Sequence, residues 1–242
     1  MQRINRTKMR SQDVSYKTNV DLVLVIDGTG SMQPMLDLVK DKALTLYDDI
    51  INSLGEKKRI VKKMRVKVIV FRDIYVDARP FEESLFYSLP DQASEFKAFV
   101  TGIKASGGGD EPESGLEALS KAFNSDFEVD YQKNKARQII MVMTDASAHR
   151  LDDPQRAVDP EYNSIMKEGG YKKEAPKNLT ELAEEWAGLD PNAKRLVIMA
   201  PNAYPWSDLS EWVLVSYSPS QAGTGMSDIA YQEVLRAIQR SV

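Results

Sequence analysis

Asp27, Thr29 and Ser31 stand at alternate positions of the segment VLVIDGTGSM, residues 23–32, with Gly28 and Gly30 between them. Alternate side chains of an extended or loosely turning segment point the same way, so three oxygens can converge on one point. The glycines let the backbone bend there without side-chain obstruction. A further carboxylate, Asp145, ends a second apolar run, RQIIMVMT at 137–144. Carboxylates with neutral hydroxyls make an all-oxygen shell of the kind Mg2+ takes, with water in its remaining positions. Mn2+ and Ca2+ belong to the same class of ion. The plainer alternative is a tight glycine turn leading into a helix capped by Ser31, with no ion at all.

The elements that must position these residues follow from hydrophobic periodicity. Val20–Ile26 is an apolar run of strand length, and Leu36–Leu54 repeats apolar residues at helical spacing up to Gly55. Met64–Phe71 predicts a second strand, and Arg79–Leu89 a third that pairs back on it in a hairpin. Asp91–Lys104 predicts a helix, and the glycine-rich loop SGGGDEPES (106–114) opens another that runs through Phe123. Arg137–Thr144, Lys194–Ala200 and Trp212–Tyr217 read as strands; Asn178–Leu189 and Ser227–Ile238 read as helices. Between them, 146–176 forms an irregular insert punctuated by Pro154, Pro160, Gly169, Gly170 and Pro176. Strands apolar on both faces and separated by helices imply a mainly parallel sheet covered on both sides. Ligands of such sheets bind at the carboxyl ends of the strands. Asp27, the loop holding Asp110, and Asp145 all fall on that edge.

Composition narrows the class of protein. The chain has 242 residues, is 42% hydrophobic and 28% charged, and carries a net charge of −4, which argues against nucleic acid as the main partner. Residues 1–19 hold Arg3, Arg6, Lys8, Arg10 and Lys17 against Asp13 alone, and read as a basic tail, flexible or draped on the surface, before one domain spanning 20–242. No apolar run approaches the roughly 18 residues that a membrane-spanning helix needs, and no signal-peptide core is present. Cysteine is absent, which excludes disulfides, thiolate metal sites and thiol nucleophiles and suits a cytoplasmic location.

DGTGS resembles the metal-ion-dependent adhesion site of von Willebrand factor A domains, whose pattern is Asp-x-Ser/Thr-x-Ser. FRD (71–73), GGGDEPE (107–113) and TDASAH (144–149) resemble, in the same order, a bacterial and protist branch of that superfamily. This branch includes A domains attached to atypical alpha-kinases and those of tellurite-resistance-type operons. The resemblance implies a three-layer, doubly wound, Rossmann-like α/β fold around a mainly parallel six-stranded sheet with one antiparallel strand. It implies that Asp27, Thr29 and Ser31 are first-loop ligands of Mg2+, and that Asp145 reaches the ion through water. The family's middle loop supplies a threonine ligand; here the nearest oxygen-bearing match is Asp110. Three carboxylates would leave a divalent site at −1, tightening the ion while weakening its pull on an external acid. Alternatively Asp110 caps a helix beginning near Pro112. The implied function is cation-dependent protein binding, in which a partner's carboxylate or phosphate completes the shell in bacterial signalling or stress response.

Other residues have plainer roles. Asp73, Gly109 and His149 are candidates for the rim. Asp73 is expected to pair with Arg72, Arg79 or Lys67, and His149 to order its loop by hydrogen bonding. Glu111 and Glu113 read as solvated first-turn residues favoured by the helix dipole. Trp186, Trp206 and Trp212 read as core or insert packing, with Tyr204-Pro205-Trp206 alternatively exposed aromatics at the ligand edge. Enzymatic schemes fail on missing parts. No P-loop lysine follows GTGS, no G-x-S-x-G surrounds Ser31, and Thr29 stands where a dehalogenase-type phosphatase needs a second Asp. An S-adenosylmethionine site would leave the Asp110 loop and TDASAH unexplained.

Overall fold

In the computed structural model, which describes residues 16–55, 59–108, 111–128, 135–167 and 174–242, the first apolar run becomes the central strand β1 (Tyr16–Asp27). It begins four residues earlier than its hydrophobicity predicts; residues 1–15 lie outside the described set. β2 (Arg59–Phe71) lies parallel to β1 on one side and β5 (Lys135–Met143) on the other. β6 (Lys194–Pro201) and β7 (Val215–Ser220) extend the sheet in parallel beyond β5.

The antiparallel edge is shared by two short strands on β2. β3 (Phe81–Glu83) pairs with Ile69–Phe71, and β4 (Tyr87–Leu89) with Met64–Val66. Ser84 interrupts what the sequence reads as one strand. Its N–H donates to Val68 O, while its hydroxyl takes the Val68 N–H that a strand carbonyl would otherwise accept, each at 2.9 Å. Among the described residues the sheet thus has five parallel strands and one divided antiparallel edge.

Both faces are covered because β1 is apolar on both sides from Leu22 to Ile26. Leu22, Leu24 and Ile26 enter one core with α1 (Gln33–Lys42), α2 (Leu46–Gly55), α3 (Ala93–Gly102) and α9 (Tyr231–Ser241). Val23 and Val25 enter the opposite core with α4 (Gly115–Phe123), α7 (Leu179–Ala187) and α8 (Trp206–Leu209). This is the three-layer α/β arrangement the sequence implies. A residue buried to this extent contributes on the order of 1.5–3 kcal/mol, so the two cores supply most of the driving force.

Three further elements differ from their predicted form. The long helix over 36–54 divides at residues 43–45, where Ala43 N and Thr45 N bond to carbonyls three residues back. That tighter turn re-aims the chain so that Met35 and Leu36 before it, and Leu46, Ile50 and Leu54 after it, all reach one core. The last strand runs over 215–220 rather than 212–217, because α8 and its following turn hold Trp212, whose N–H bonds Leu209 O. Leu214, left-handed at φ 67, redirects the chain into the strand. Among its described residues the insert contains two short helices, α5 (Pro154–Val158) and α6 (Tyr162–Lys167).

Candidate functional site

Strand register brings the candidate residues together. Asp27 is the last residue of β1 opposite Phe71, and Ile26 lies opposite Met143, so Thr144 and Asp145 leave β5 beside Asp27. Asp27 Oδ1 accepts from the Thr29 amide at 2.9 Å and from Thr29 Oγ1 at 2.6 Å. The Thr29 and Ser31 hydroxyls lie 3.2 Å apart, and Ser31 Oγ donates to Asp145 Oδ1 at 3.0 Å. Four side chains from two segments therefore form one continuous chain of oxygens. Ser31 sits within a 3-10 turn, Gly30–Met32, rather than capping a helix, so its hydroxyl is spent on Asp145.

Asp27, Thr29 and Asp145 are buried, while Gly30 and Ser31 are exposed. The site accordingly opens to solvent at Ser31. Burial pushes the Asp27 carboxyl up to about 6, with nearby Asp145 adding to the rise, although hydrogen bonds from Thr144 and Thr29 oppose it. An anionic pair in such a place is short of positive charge. The two hydroxyls donate to the carboxylates and so keep their lone pairs for another electrophile. Hard oxygens of this kind, two of them charged, fit a divalent cation.

Two contributors were not assigned from sequence. Thr144 Oγ1 donates to Asp27 Oδ2 at 2.6 Å and accepts from the Ala146 amide at 3.0 Å, orienting the buried carboxylate. Gly225, between β7 and α9, donates its N–H to Asp145 Oδ2 at 2.6 Å, and Gly223 N–H reaches Asp145 O at 2.9 Å. Gly225 has φ 63, and a β carbon there would collide with Ser31 O, so only glycine allows this approach. The signal for Thr144 was its place at the strand end before Asp145. For Gly225 the only signal was a pair of glycines before the closing helix.

Asp110 and Gly109 lie outside the described residues. The following helix starts at Gly115 with Ser114 at its N-cap, three residues beyond the Pro112 start that the sequence suggests. Among the described residues, no group of three or more Asp, Glu, His or Cys side chains is placed to hold a metal ion. The described part of the site is two carboxylates and two hydroxyls.

The rim shows further differences. Asp73 is held by His149 rather than by Arg72, Arg79 or Lys67: His149 Nε2 lies 3.1 Å from Asp73 Oδ1. Arg72 pairs instead with Glu82, and Lys67 with Glu83. Burial pulls the His149 imidazole down, but the hydrogen bond and charge of Asp73, with Glu117 and Asp153 beyond, leave it raised. Glu113 is buried, not solvated, since its backbone joins a bridge to Ala148 and its N–H bonds Ser147 O. Glu111 is exposed and accepts from the Ser147 amide and hydroxyl. Trp206 is fully buried, its Nε1–H on Ala146 O, which removes it from any exposed aromatic edge. Tyr204 is half-buried beneath the Arg150 guanidinium.

A family model described as the von Willebrand factor A domain matches residues 21–158. That stretch is more than half of the chain and contains Asp27, Thr29, Ser31 and Asp145. The chain belongs to the von Willebrand factor A domain family. Among curated proteins, a putative ariadne-like RING finger protein from Acanthamoeba polyphaga mimivirus is 28% identical over 149 residues. The match covers 61% of this chain and 13% of that protein. Among solved structures, the pilus adhesin SpaC from Lactobacillus rhamnosus GG aligns with TM-score 0.53 at 11% identity, over 95% of this chain and 31% of the adhesin. A von Willebrand factor type A protein from Catenulispora acidiphila gives 0.48 at 15% identity, over 93% and 42%. This chain thus spans less than half the length of each of these proteins. At such identities the SpaC likeness speaks to the fold. No helix among the described residues is long and apolar enough to cross a membrane.

Proposed function

We propose that this domain binds a protein partner through a divalent cation, Mg2+ or a similar hard ion, at the carboxyl edge of its sheet. Asp27, Thr29 and Ser31 would hold the ion, Asp145 would reach it through water, and Asp110 would serve as a further ligand. When bound, the cation supplies a coordination position for a partner's carboxylate or phosphate. The chain's own residues do the rest: Thr144 and Gly225 orient the two carboxylates, and Ser31 leaves the position open to solvent. The insert after Asp145 shapes which partner fits. The reading is of a binding module, since the hydroxyl–carboxylate contact from Ser31 to Asp145 belongs to the oxygen cradle itself. The observation that carries it is the unbroken chain from Asp27 through Thr29 and Ser31 to Asp145.

The test is thermal unfolding with and without Mg2+ or Mn2+, for the wild type and Asp27→Ala. A cation at about 100 times its Kd stabilises by about 2.7 kcal/mol, a rise of roughly 5–10 °C for a domain of this size. The rise should be absent in Asp27→Ala. A wild type indifferent to both ions overturns the reading.

One observation favours a second reading, a metal-independent scaffold subunit of a multi-component bacterial complex. The described oxygens already satisfy one another by hydrogen bonding, and no three acidic side chains meet among the described residues. Capture of a host protein that is indifferent to chelator would support it. The motifs that resemble domains working beside kinases are what support a cytoplasmic role in signalling or stress response.

A further inference from the structure

Beside the site lies a cleft of about 460 Å3 bordered by Arg72, Asp77, Arg79, Glu82, Lys104 and the 106–107 backbone. Arg72, itself buried, spends its guanidinium on the walls. It donates to Gly28 O at 3.2 Å, Ser106 O at 3.0 Å, Arg79 O at 3.2 Å and Lys104 O at 2.7 Å, and pairs with Glu82 at 2.8 Å. One cation thereby clamps the main chain of two others. The carboxylates of the cleft are already engaged: Glu82 on Arg72, and Asp77 on the Asp73 amide at 3.1 Å while packed against Gly107. Gly107 has φ 77, and a β carbon there would collide with the Asp77 carboxylate, so glycine sets how close this wall stands. Arg79 and Lys104 are exposed, and neither has an ion-pair partner among the described residues. In a chain of net charge −4, two neighbouring unpaired cations mark a place for an anion.

The cleft and the candidate site share a wall. Gly30 N–H bonds Gly107 O at 3.2 Å, and Ser106 N–H bonds Gly28 O at 3.0 Å. We infer that the partner presents a doubly acidic peptide segment, one carboxylate at the cation site and a second on Arg79 and Lys104. This inference rests on the cation-dependent reading above and adds the partner's chemistry. Extended chain rises about 3.3 Å per residue, so the two acids are separated by only a few residues. A family of protein-binding modules and an acidic surface favour a peptide over a nucleic acid as the source of the charge.

The experiment uses labelled Gly/Ser peptides in anisotropy titrations. One peptide carries a single glutamate; a series carries two, spaced one to five residues apart. Two exposed ion pairs predict that one spacing binds about two- to thirtyfold tighter than the single glutamate in Mg2+. The preference should shrink as salt is raised. Arg79→Gln/Lys104→Gln, which keeps the main-chain carbonyls that Arg72 holds, should erase it and leave single-glutamate binding unchanged. No preference at any spacing, or a preference that survives the double substitution, overturns the inference. So does an oligonucleotide that displaces the two-glutamate peptide at equal concentration. Failure of the cation reading looks different: single-glutamate binding would then persist in chelator and in Asp27→Ala.

Discussion

Gly225 N–H lies 2.6 Å from Asp145 Oδ2, which fastens the segment before the last helix to the carboxylate at the end of β5. The contact exists because position 225 has no β carbon: one would strike Ser31 O and come within 2.9 Å of the Pro34 ring. Gly225→Ala combines that clash with a left-handed backbone. It is expected to cost about 1–3 kcal/mol, read as a lower urea midpoint with unchanged m value. A midpoint equal to wild type would mean that the loop does not seat on Asp145.

Asp27 gives the domain a distinct acid limb. Its folded pKa of about 6 stands above its ordinary 3.8, so the native state holds more protons than the unfolded chain between those values. Its favourable contribution is therefore full below 3.8 and is lost as pH rises to about 6, a swing of about 3 kcal/mol. In chelator, stability should fall across that interval and the fall should flatten in Asp27→Asn. Denaturant midpoints at pH 4, 5 and 6.5 measure it, and parallel slopes in the two proteins would refute it.

The single histidine makes the rim directly observable. With its pKa raised by Asp73, the His149 ring should titrate above 6.5, and Asp73→Asn should bring the midpoint down. Any stability from the pair is complete below 6.5 and is lost as pH climbs through the folded value. Imidazole Cε1 proton shifts across pH 5–9 report one resonance without assignment work. A midpoint at or below 6.5 in the wild type contradicts the pairing.

Glu117, fully buried on α4, ties the insert to the domain. Tyr162 OH donates to its Oε1 at 2.9 Å, and burial holds its carboxyl above the usual range. Tyr162→Phe leaves that oxygen without its donor and should lower stability by about 1–3 kcal/mol, most strongly at high pH where the carboxylate must ionise. Glu117→Gln keeps an acceptor for Tyr162 and should cost less. Equal losses in the two variants would assign the effect to packing alone.

How much of this was legible depended on whether a residue's task is local. Asp27, Thr29 and Ser31 announce themselves by alternation, and Asp145 by ending a buried strand, so periodicity and type suffice. Glu113 defeated the same reasoning. A glutamate ahead of a helix reads as solvated until the bridge to Ala148 draws its backbone under the site. Asp73 was misassigned for a similar reason: several basic residues lie near it in sequence, but its partner comes from 76 residues away. Ser84 dividing the edge strand depends on one hydroxyl replacing a carbonyl, which no hydrophobic pattern records. Arg72 was visible only as a neighbour of Asp73, since its work is to gather carbonyls from three loops.

The oxygen circuit also sets a timetable. Thr144 meets Asp27 across 117 residues, and Gly225 meets Asp145 across a further 80. Joining such distant stretches means overcoming loop-closure entropy before any of these bonds is gained, so the pocket is expected to assemble late in folding. Amide exchange at Thr29 and Gly225 would then report the maturity of the whole molecule. A chain that has folded only its early strands has no pocket with which to engage a partner too soon.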